Sequence, residues 1–382
     1  MDAFTPRNWT ELAAWEGPHC ISIYLPTHRK GMEVNEGQDK LVLKNLLREA
    51  AQRLKTQGVS EKEIDTLLKP ANDLLKGRKI WHFLSASWAL FISRNFFASY
   101  RLPFETGTQV FVSRHFYLLP LAPAMEPPFP YFFLYVNLKG CRLFQADRYH
   151  WAEEKTETPF PTAVADVAGA DVEQVMSQFH STGKTTAIHH GRGAGKDDVR
   201  EEVALFLQET DDILNHHLAG HTEPLIVGGV PYLADRYLHV SKYPGLIREV
   251  PANVPEFNME KWHTATWLLM APKAQERVER WKDQYRQWAG TGRTAAHLPE
   301  IMPAAIEGRV EVLWIKKDTE IWGQYNPFTT YLRLDSEQLP DNTSLLNWLG
   351  KMIIANGGQL QLIPAYDMPD VVDTPCQALF RY

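Results

Sequence analysis

Cysteines and long hydrophobic runs are both scarce in this sequence. Its 382 residues include three cysteines, Cys20, Cys141 and Cys376, which lie far apart and form no CxxC pair. This sparse, odd number excludes a disulfide-stapled scaffold and fits a reducing cytoplasm. The longest apolar runs, such as Tyr131–Asn137, are far shorter than the ~20 residues of a membrane span. No basic region followed by an apolar core opens the chain, so we predict a cytoplasmic protein with neither a signal peptide nor membrane contact.

An excess of positive charge is also missing. The formal net charge is −6 and the isoelectric point is about 6.2. These values argue against a protein that coats nucleic acid by bulk charge, but they leave room for a local basic site. The 44% of hydrophobic residues, with 12% aromatic residues, supply enough apolar surface for buried cores. We therefore predict a folded chain of two to three domains.

Two proline-rich segments mark the predicted domain boundaries. Residues 122–130 read APAMEPPFP, and residues 251–258 read PANVPEFN. Proline removes backbone donors and stiffens the chain, as linkers require. The predicted domains comprise residues 1–128, 129–252 and 253–382. Because each mixes strand and helix patterns, the predicted fold class is α/β (α+β).

Strand and helix patterns alternate in the first predicted domain. Residues 21–26 read as a strand, and residues 41–54 have apolar residues at helical spacing. Ser60 and Glu63 form a capping box that predicts a second helix. Farther along the chain, the sequence predicts strands at 81–92 and 96–102, and a short strand or an exit from the domain at 116–123.

The second and third domains begin with a hairpin and a long helical region, respectively. The hairpin covers residues 131–147, and about forty residues without strong periodicity follow it. The other predicted elements are a helix from Asp198, a strand at 224–230, a helix at 231–240, a helical region interrupted at Pro272, a helix end passing into a strand at 304–315, a helix at 345–358, and strands at 359–365 and 378–382.

The stretch HHGRGAGKDD, residues 189–198, precedes the predicted helix at Asp198. Its glycines, at 191, 193 and 195, permit positive φ and a close backbone approach to RNA or phosphate. Basic side chains that can neutralise phosphates are Arg192 and Lys196, with Lys184 and Arg200 nearby. His189 and His190 can stack on bases or titrate. The alternative interpretation is a mobile surface loop that these residues keep soluble.

The element order and this stretch together resemble the archaeo-eukaryotic peptide-chain release factor family, which includes the ribosome-rescue factor Pelota. Class-one members carry HGRGGQ before a helix, and here residues 190–195 read HGRGAG. Four other segments are similar to family elements: ISIYLP at 21–26, PLIVGGV at 224–230, AAIEGRVEVLWI at 304–315, and the closing LFRY at 379–382. The resemblance best fits the divergent bacterial branch. It implies a decoding-end first domain, a ribonuclease-H-like central domain and an L7Ae-like C-terminal domain that contacts protein partners.

Two family motifs are altered in this chain. The GGQ tripeptide aligns with Gly193, Ala194 and Gly195, so the glutamine that helps to position water at the peptidyl-tRNA ester is absent. A literal GGQ occurs at residues 357–359, where we interpret its glycines as a helix C-cap. The NIKS decoding motif of the release factors falls near Glu36–Lys40, which reads EGQDK. The sequence therefore does not predict stop-codon reading by this motif.

Other candidate sites have structural interpretations. The GKTT at 183–186 lacks the upstream glycine of a P-loop. A zinc site would need more ligands than the histidines near a helix end provide. The acidic residues at the start of the predicted helix suit its dipole better than a two-metal nuclease. Tryptophans of the long helical region favour domain packing over base stacking. The residues concerned are His216, His217 and His221; Asp197, Asp198, Glu201, Glu202 and Asp147; and Trp262, Trp267, Trp281 and Trp288.

The function predicted first is a release-factor-like protein that binds the ribosome through rRNA or tRNA, in translation termination or ribosome rescue. Without the glutamine, backbone N–H groups of residues 193–195 would have to stabilise the ester oxyanion, so hydrolysis is left open. One alternative is a non-catalytic RNA- or protein-binding module of the same fold. Another is a metal-dependent nuclease. The leading prediction includes no cofactor and no metal.

Overall fold

The computed structural model describes residues 2–28, 37–77, 79–82, 84–137, 139–161, 194–251, 254 and 257–382 of the chain. Two compact units result: residues 1–127 with 278–382 form one, and residues 128–277 form the other. Helices and several sheets occur throughout, so the predicted mixed α/β fold class is confirmed. The two predicted domain boundaries, and the ribonuclease-H-like and L7Ae-like assignments, stay predictions.

The chain begins with a five-stranded sheet and the helices that cover it. The strand order is β1-β4-β3-β2-β5, with only the β1–β4 pair parallel. The elements are β1 (Asp2–Ala3), α1 (Pro6–Ala13), β2 (Glu16–Pro26), α2 (Gln38–Thr56), α3 (Glu61–Leu74), β3 (Ser87–Ser93), β4 (Phe96–Leu102) and β5 (Gln109–His115). A 3₁₀ helix, Lys79–His82, precedes β3, and another, Leu119–Met125, follows β5.

Helices α2 and α3 form where their apolar residues repeat at helical spacing. The Ser60 hydroxyl accepts a hydrogen bond from the Glu63 N–H, so the predicted capping residue does begin α3. The inward faces of both helices pack on one side of the sheet. The buried apolar residues of α2 are Leu43, Leu46, Leu47, Ala50 and Leu54, and those of α3 are Ile64, Leu67, Leu68 and Ala71.

The second unit is built on a four-stranded sheet of order β8-β7-β6-β9. Strand β6 pairs with β7 as the predicted antiparallel hairpin and with β9 in parallel. The elements are β6 (Tyr131–Asn137), β7 (Gly140–Ala146), β8 (Trp151–Glu154), α4 (Ala194–His217), β9 (Leu225–Gly229), α5 (Pro231–Val240) and, through residue 277, the first part of α6 (Met259–Trp288). Helices α4 and α5 share one apolar core with β6 and β9. Helix α4 begins at Ala194, four residues before Asp198, where the sequence predicted the helix to start.

The predicted interruption at Pro272 is wrong, because α6 runs from Met259 through Pro272 to Trp288. A proline inside a helix removes one hydrogen bond and crowds the carbonyl four residues earlier. That carbonyl belongs to Leu268, whose side chain is 69% exposed, and Pro272 is itself exposed. Because this face of the helix meets solvent, the freed carbonyl can be hydrated and the helix continues.

The last third of the chain contributes two sheets and two helices. One sheet has the order β10-β16-β11-β15, and the other, absent from the sequence-based prediction, has the order β13-β12-β14. The elements are β10 (Thr294–Ala295), α7 (Leu298–Ile306), β11 (Val310–Lys316), β12 (Trp322–Asn326), β13 (Tyr331–Asp335), β14 (Thr343–Ser344), α8 (Leu345–Ala355), β15 (Gln359–Ile363) and β16 (Cys376–Phe380). Another 3₁₀ helix, Ala365–Asp367, follows β15.

Asn347 joins the first and last parts of the chain within their common unit. Its side chain accepts a hydrogen bond of 2.7 Å from the Leu118 N–H and donates one of 3.0 Å to the Phe116 carbonyl. All three residues are buried. A Cβ added to Gly350 would lie 2.9 Å from Leu119 Cδ2, so a larger residue there would require the Leu119 side chain to move. No helix within the described ranges is long and apolar enough to cross a membrane.

Candidate functional site

The glycine-rich segment, residues 189–195, runs directly into helix α4. Ala194, Gly195, Lys196 and Arg200 occupy the first two turns of this helix, where the structure describes the backbone. The other predicted contact residues lie outside the described part of the chain: Lys184, His189, His190, Gly191, Arg192 and Gly193. Their contacts with RNA stay predictions, as does the interpretation as a surface loop.

The start of α4 is chemically suited to an anion. The first four N–H groups of an α-helix have no partner within the helix, and the helix dipole adds partial positive charge at this end. Phosphates and carboxylates bind such ends for both reasons. Gly195 lies in the first turn and has no Cβ to obstruct a ligand that approaches the backbone. The same donors could stabilise a developing oxyanion.

Helix α4 is held against the sheet by an apolar face. Val203, Phe206, Leu207, Leu214 and Leu218 are buried in the core that also contains β6 and β9. Burying such side chains contributes roughly 1.5–3 kcal/mol each. The glycine-rich segment therefore ends on a rigid support rather than on another loop.

Two polar residues interrupt this apolar face. Asp211 is 1% exposed and accepts hydrogen bonds from the Tyr237 hydroxyl at 2.9 Å and from the Lys242 N–H at 3.0 Å. Burial, together with the neighbouring Asp211, raises the pKa of Tyr237, so its hydroxyl stays protonated and can donate. Thr210 donates to the Phe206 carbonyl at 2.8 Å. The network fixes α4 to α5 and to the turn after it.

The thiol of Cys141 is close to this network but is not reactive. Its Sγ lies 3.7 Å from Thr210 Oγ1. Burial raises the pKa of Cys141 to about 12, against a smaller opposing effect of the hydrogen bond with Thr210. A thiol in this state is a poor nucleophile and a poor metal ligand.

The predicted sites missed Asp211 and Tyr237, although the sequence contains a signal for the first of them. Asp211 falls four positions after Leu207 and three before Leu214, in the apolar stripe of the helix. A carboxylate in such a stripe is rarely buried without a partner. Its partners come from residues 26 and 31 positions later, which periodicity within one helix cannot identify.

The sheet beneath α4 and α5 is closed tightly at the end of β9. Gly229 has φ +125°, and a Cβ there would lie 2.1 Å from the Val136 carbonyl oxygen. The next residue, Val230, donates its N–H to that same oxygen at 2.9 Å. Helix α5 begins immediately afterwards, with Pro231 in its first turn. Glycine is the residue that allows the strand to pair and turn in so short a distance.

The histidines near the end of α4 do not converge on one point. His217 lies 3.6 Å from Glu154 on β8, whereas His221 lies 3.1 Å from Glu223. The ring of His221 also meets the ring of Phe132 edge-on. Within the described ranges, no group of three or more histidine, cysteine or acidic residues could hold a metal ion.

The acid expected at the edge of the hairpin has a local role. Asp147 Oδ1 accepts hydrogen bonds from the N–H groups of Tyr149 and His150, at 2.7 and 2.8 Å. These bonds stabilise the turn between β7 and β8. Glu201 and Glu202 lie on α4, and the side chains of Asp197 and Asp198 are outside the described part. The geometry therefore supplies no argument for a two-metal nuclease.

The tryptophans of α6 pack inside the protein. Trp262 is 1% exposed, and its ring lies 5.1 Å from that of Phe133. Trp267 packs against the same core as Trp262. Trp281 and Trp288 pack against a separate core cluster that includes Trp314. This placement agrees with domain packing rather than with a base-stacking platform.

The literal GGQ is a helix terminus, as the sequence indicated. Helix α8 ends at Ala355, Gly357 has φ +70°, and the Gly358 N–H donates to the Ile353 carbonyl at 2.9 Å. This is the usual way in which glycine ends a helix. Gln359 then begins β15 and pairs with Val312.

The segment that replaces NIKS is tied down at Asp39. The carboxylate of Asp39 is buried and accepts a 2.9 Å hydrogen bond from the His28 N–H. The His28 ring lies 2.7 Å from its other oxygen. Asp39 thus joins the start of α2 to His28, which lies just after β2. This role is structural.

Residues 130–309 match the family model described as bacterial archaeo-eukaryotic release factor family 3. The matched segment contains the hairpin, the glycine-rich segment, α4, β9 and α5. The matched segment is similar to the bacterial branch of the archaeo-eukaryotic release factors, and the resemblance predicted from sequence is confirmed. A comparison with curated proteins finds no significant match.

Several solved structures are similar along most or all of the chain. An archaeal translation termination factor, aRF1, is 15% identical, with 100% of this chain and 99% of that chain covered and a TM-score of 0.23. Pelota from Archaeoglobus fulgidus is 10% identical, with 100% and 94% covered and a TM-score of 0.33. Dom34 from S. cerevisiae is 7% identical, with 78% and 79% covered and a TM-score of 0.33. The family assignment rests on the match at residues 130–309, not on these distant likenesses.

Proposed function

We propose that this protein binds the ribosome and acts in translation termination or ribosome rescue in the cytoplasm. The observation that carries the proposal is the family match, which includes the glycine-rich segment and the helix that follows it. The start of α4 supports a contact with rRNA or tRNA phosphates, because the first N–H groups of an α-helix have no partner within the helix. Protein partners would bind through the C-terminal part of the chain.

Lys196 and Arg200 add positive charge to the helix end by their position in its first two turns. Together with Arg192 and Lys184, they would neutralise phosphates and set the salt dependence of binding. His189 and His190 would stack on exposed bases. Each of these roles belongs to RNA contact and requires no cofactor.

Hydrolysis of peptidyl-tRNA is a separate part of the proposal. Water would attack the ester carbonyl, and the bond to the ribose oxygen would break as that oxygen takes a proton. Backbone N–H groups of residues 193–195 would stabilise the oxyanion, because the glutamine of GGQ is absent. The non-catalytic alternative retains the RNA contact without this step.

The first experiment is co-sedimentation with 70S ribosomes across a salt series. We expect the wild type to bind in a salt-sensitive way and Arg192→Glu/Lys196→Glu to lose at least about tenfold in affinity. The matched control is Lys261→Glu/Lys273→Glu, which makes the same charge change at exposed positions of α6. Absence of wild-type binding at low salt would refute the proposal, as would equal losses in both variants.

Catalytic competence is tested with Gly195→Gln in a peptidyl-tRNA release assay. If the backbone is already positioned at the ester, the restored glutamine should raise the release rate above that of the wild type. Gly195→Ala is the control for the change in helix propensity. Ribosome binding by all three proteins without any release would favour the non-catalytic module.

A further inference from the structure

Three basic residues form a row on the exposed face of helix α2, in the first part of the chain. Lys40, Lys44 and Arg48 follow one another at intervals of four residues, and all three are exposed. Residues four apart lie on the same side of a helix, and each step adds ~6 Å along its axis. The basic row (Lys40, Lys44 and Arg48) therefore extends over ~12 Å in a nearly straight line.

Within the part of the chain that the structure describes, the acids on α2 pair with residues outside the basic row. Asp39 is buried and bonded to His28, and Glu49 pairs with Arg53 at 2.7 Å. Arg48 makes a 3.4 Å hydrogen bond to the neutral side chain of Asn45. Within the described ranges, no carboxylate lies within 4.0 Å of the basic nitrogens of the row.

The neighbouring helix α3 has no comparable row of charges of one sign on its exposed face. Its exposed residues mix both signs: Glu61, Lys62, Glu63, Asp65, Lys69 and Asp73. Surface helices commonly mix charges in this way, and the face as a whole then attracts neither polyanions nor polycations. In a chain with a net charge of −6, an unmixed basic row is a local exception.

We propose that the basic row is an RNA-binding surface, separate from the glycine-rich segment, that follows the phosphates of one strand. A length of ~12 Å spans three to four phosphates at an axial rise of about 3.4 Å each. No aromatic residue occurs in α2, so the face has no platform for stacking bases. The surface therefore reads the backbone and not the sequence.

The other classes of polyanionic partner fit the basic row less well. A helix that lies on a membrane inserts its apolar face, but the apolar face of α2 is buried in the core. Leu41, which is 58% exposed, is the large apolar residue that α2 leaves uncovered. An acidic protein would also need an apolar centre for its interface, whereas the phosphates of a nucleic acid bind by charge alone.

The test measures binding of the full-length protein to a short, fluorescently labelled single-stranded RNA of mixed sequence, by anisotropy across a KCl series. We expect Lys40→Glu/Lys44→Glu/Arg48→Glu to weaken binding by at least about tenfold and to reduce the slope of log K against log salt by about 2. The neutral variant Lys40→Gln/Lys44→Gln/Arg48→Gln should give an intermediate loss. Its side chains are exposed, so the fold should be retained, which circular dichroism checks.

The control is Lys62→Glu/Lys69→Glu on α3, which adds negative charge at exposed positions beside the basic row. Equal losses in the control and the α2 variants would overturn the proposal, because bulk charge would then explain the binding. So would no wild-type binding at low salt, or stronger displacement of the protein by poly-glutamate or by phosphatidylserine vesicles than by unlabelled RNA. The ribosome-binding result for Arg192→Glu/Lys196→Glu tests the proposed function. It does not affect the conclusion about RNA binding by the basic row.

Discussion

The carboxylate of Asp211 accepts a 2.9 Å hydrogen bond from the hydroxyl of Tyr237, in the core between α4 and α5. The other carboxylate oxygen accepts the Lys242 N–H just beyond α5. One buried acid thus connects the helix that carries the start of the candidate site with the helix that returns from the sheet. These two bonds add to the apolar packing that holds α4 against α5.

Asp211→Ala should lower the free energy of unfolding by about 3 kcal/mol, because the buried Tyr237 hydroxyl and the Lys242 N–H would both lose the acceptor that Asp211 provides. Tyr237→Phe removes one partner only and should cost about 1–2 kcal/mol. Urea denaturation measures both. Asp212→Ala is the control, since Asp212 is exposed on the same helix and should change stability by less than about 0.5 kcal/mol. Equal effects at positions 211 and 212 would contradict the assigned network.

Gly229→Ala should destabilise the second unit by more than about 3 kcal/mol, since the new Cβ would overlap the Val136 carbonyl 2.1 Å away and φ is +125°. Gly220→Ala is the matched control: φ there is +86°, but nothing lies within 4 Å of an added Cβ. It should cost about 1–2 kcal/mol, the usual strain of a left-handed residue. Thermal unfolding of the two variants tests the difference, and a Gly229→Ala protein no less stable than Gly220→Ala would show that β9 can move away from β6.

Asn347→Ala should lower the free energy of unfolding by about 2–4 kcal/mol, because it leaves the buried Leu118 N–H and Phe116 carbonyl unpaired. Asn347→Asp keeps an acceptor for Leu118 but removes the donor to Phe116, so it should also destabilise. The exposed Asn45→Ala, measured by the same urea titration, should have little effect. A small effect at Asn347 would mean that water replaces both of its bonds.

Elements with a complete local signal were predicted correctly from sequence. Helices α2, α3 and α5 have regular apolar spacing, and the Ser60 cap and Pro231 mark two of their starts. The hairpin β6–β7 and the strand β9 are short apolar runs bounded by turn residues. Local propensity and tertiary packing favour the same structure in each case, so a sequence pattern is sufficient.

The strands that were missed depend on distant partners. No residue of β13 is fully buried, and this strand is held by its pairing with β12 rather than by a hydrophobic run. Strand β8 is four residues long and pairs with β7 only. The strand alternative for 116–123 is wrong, because Leu119–Met125 form a 3₁₀ helix, and the domain-exit alternative stays a prediction. Likewise, the strand expected at 81–92 starts only at Ser87.

The candidate site was predicted from a sequence motif, whereas the residues that hold α4 in place were not predicted. The residues of the glycine-rich segment are recognisable because they are contiguous in sequence. The support consists of Asp211, Tyr237 and Gly229, which come together only when α4 and α5 pack on the sheet. No pattern within a single helix or strand indicates that these residues lie close together. The network could therefore be identified only from the structure.

The pH dependence of stability should depend on Glu320, whose pKa is raised above its ordinary value of 4.5 because the carboxyl is buried. A 2.5 Å hydrogen bond from the Ser344 hydroxyl opposes this effect in part. An acid with a raised pKa in the folded state binds its proton more tightly there than in the unfolded chain. Its contribution to stability is therefore complete below pH 4.5 and is lost as pH rises through the folded-state pKa.

Glu320→Gln should consequently become more stable relative to the wild type as pH rises from 4.5. Glutamine keeps an oxygen that can accept the Ser344 hydrogen bond, but it cannot ionise. Urea denaturation of both proteins over a pH series gives the difference in unfolding free energy, in which other titrating groups cancel. Glu337→Gln makes the same chemical change at an exposed position and serves as the control. If the Glu320→Gln difference were flat, or fell with pH, then the buried carboxyl would not be the group that loses stability on ionisation.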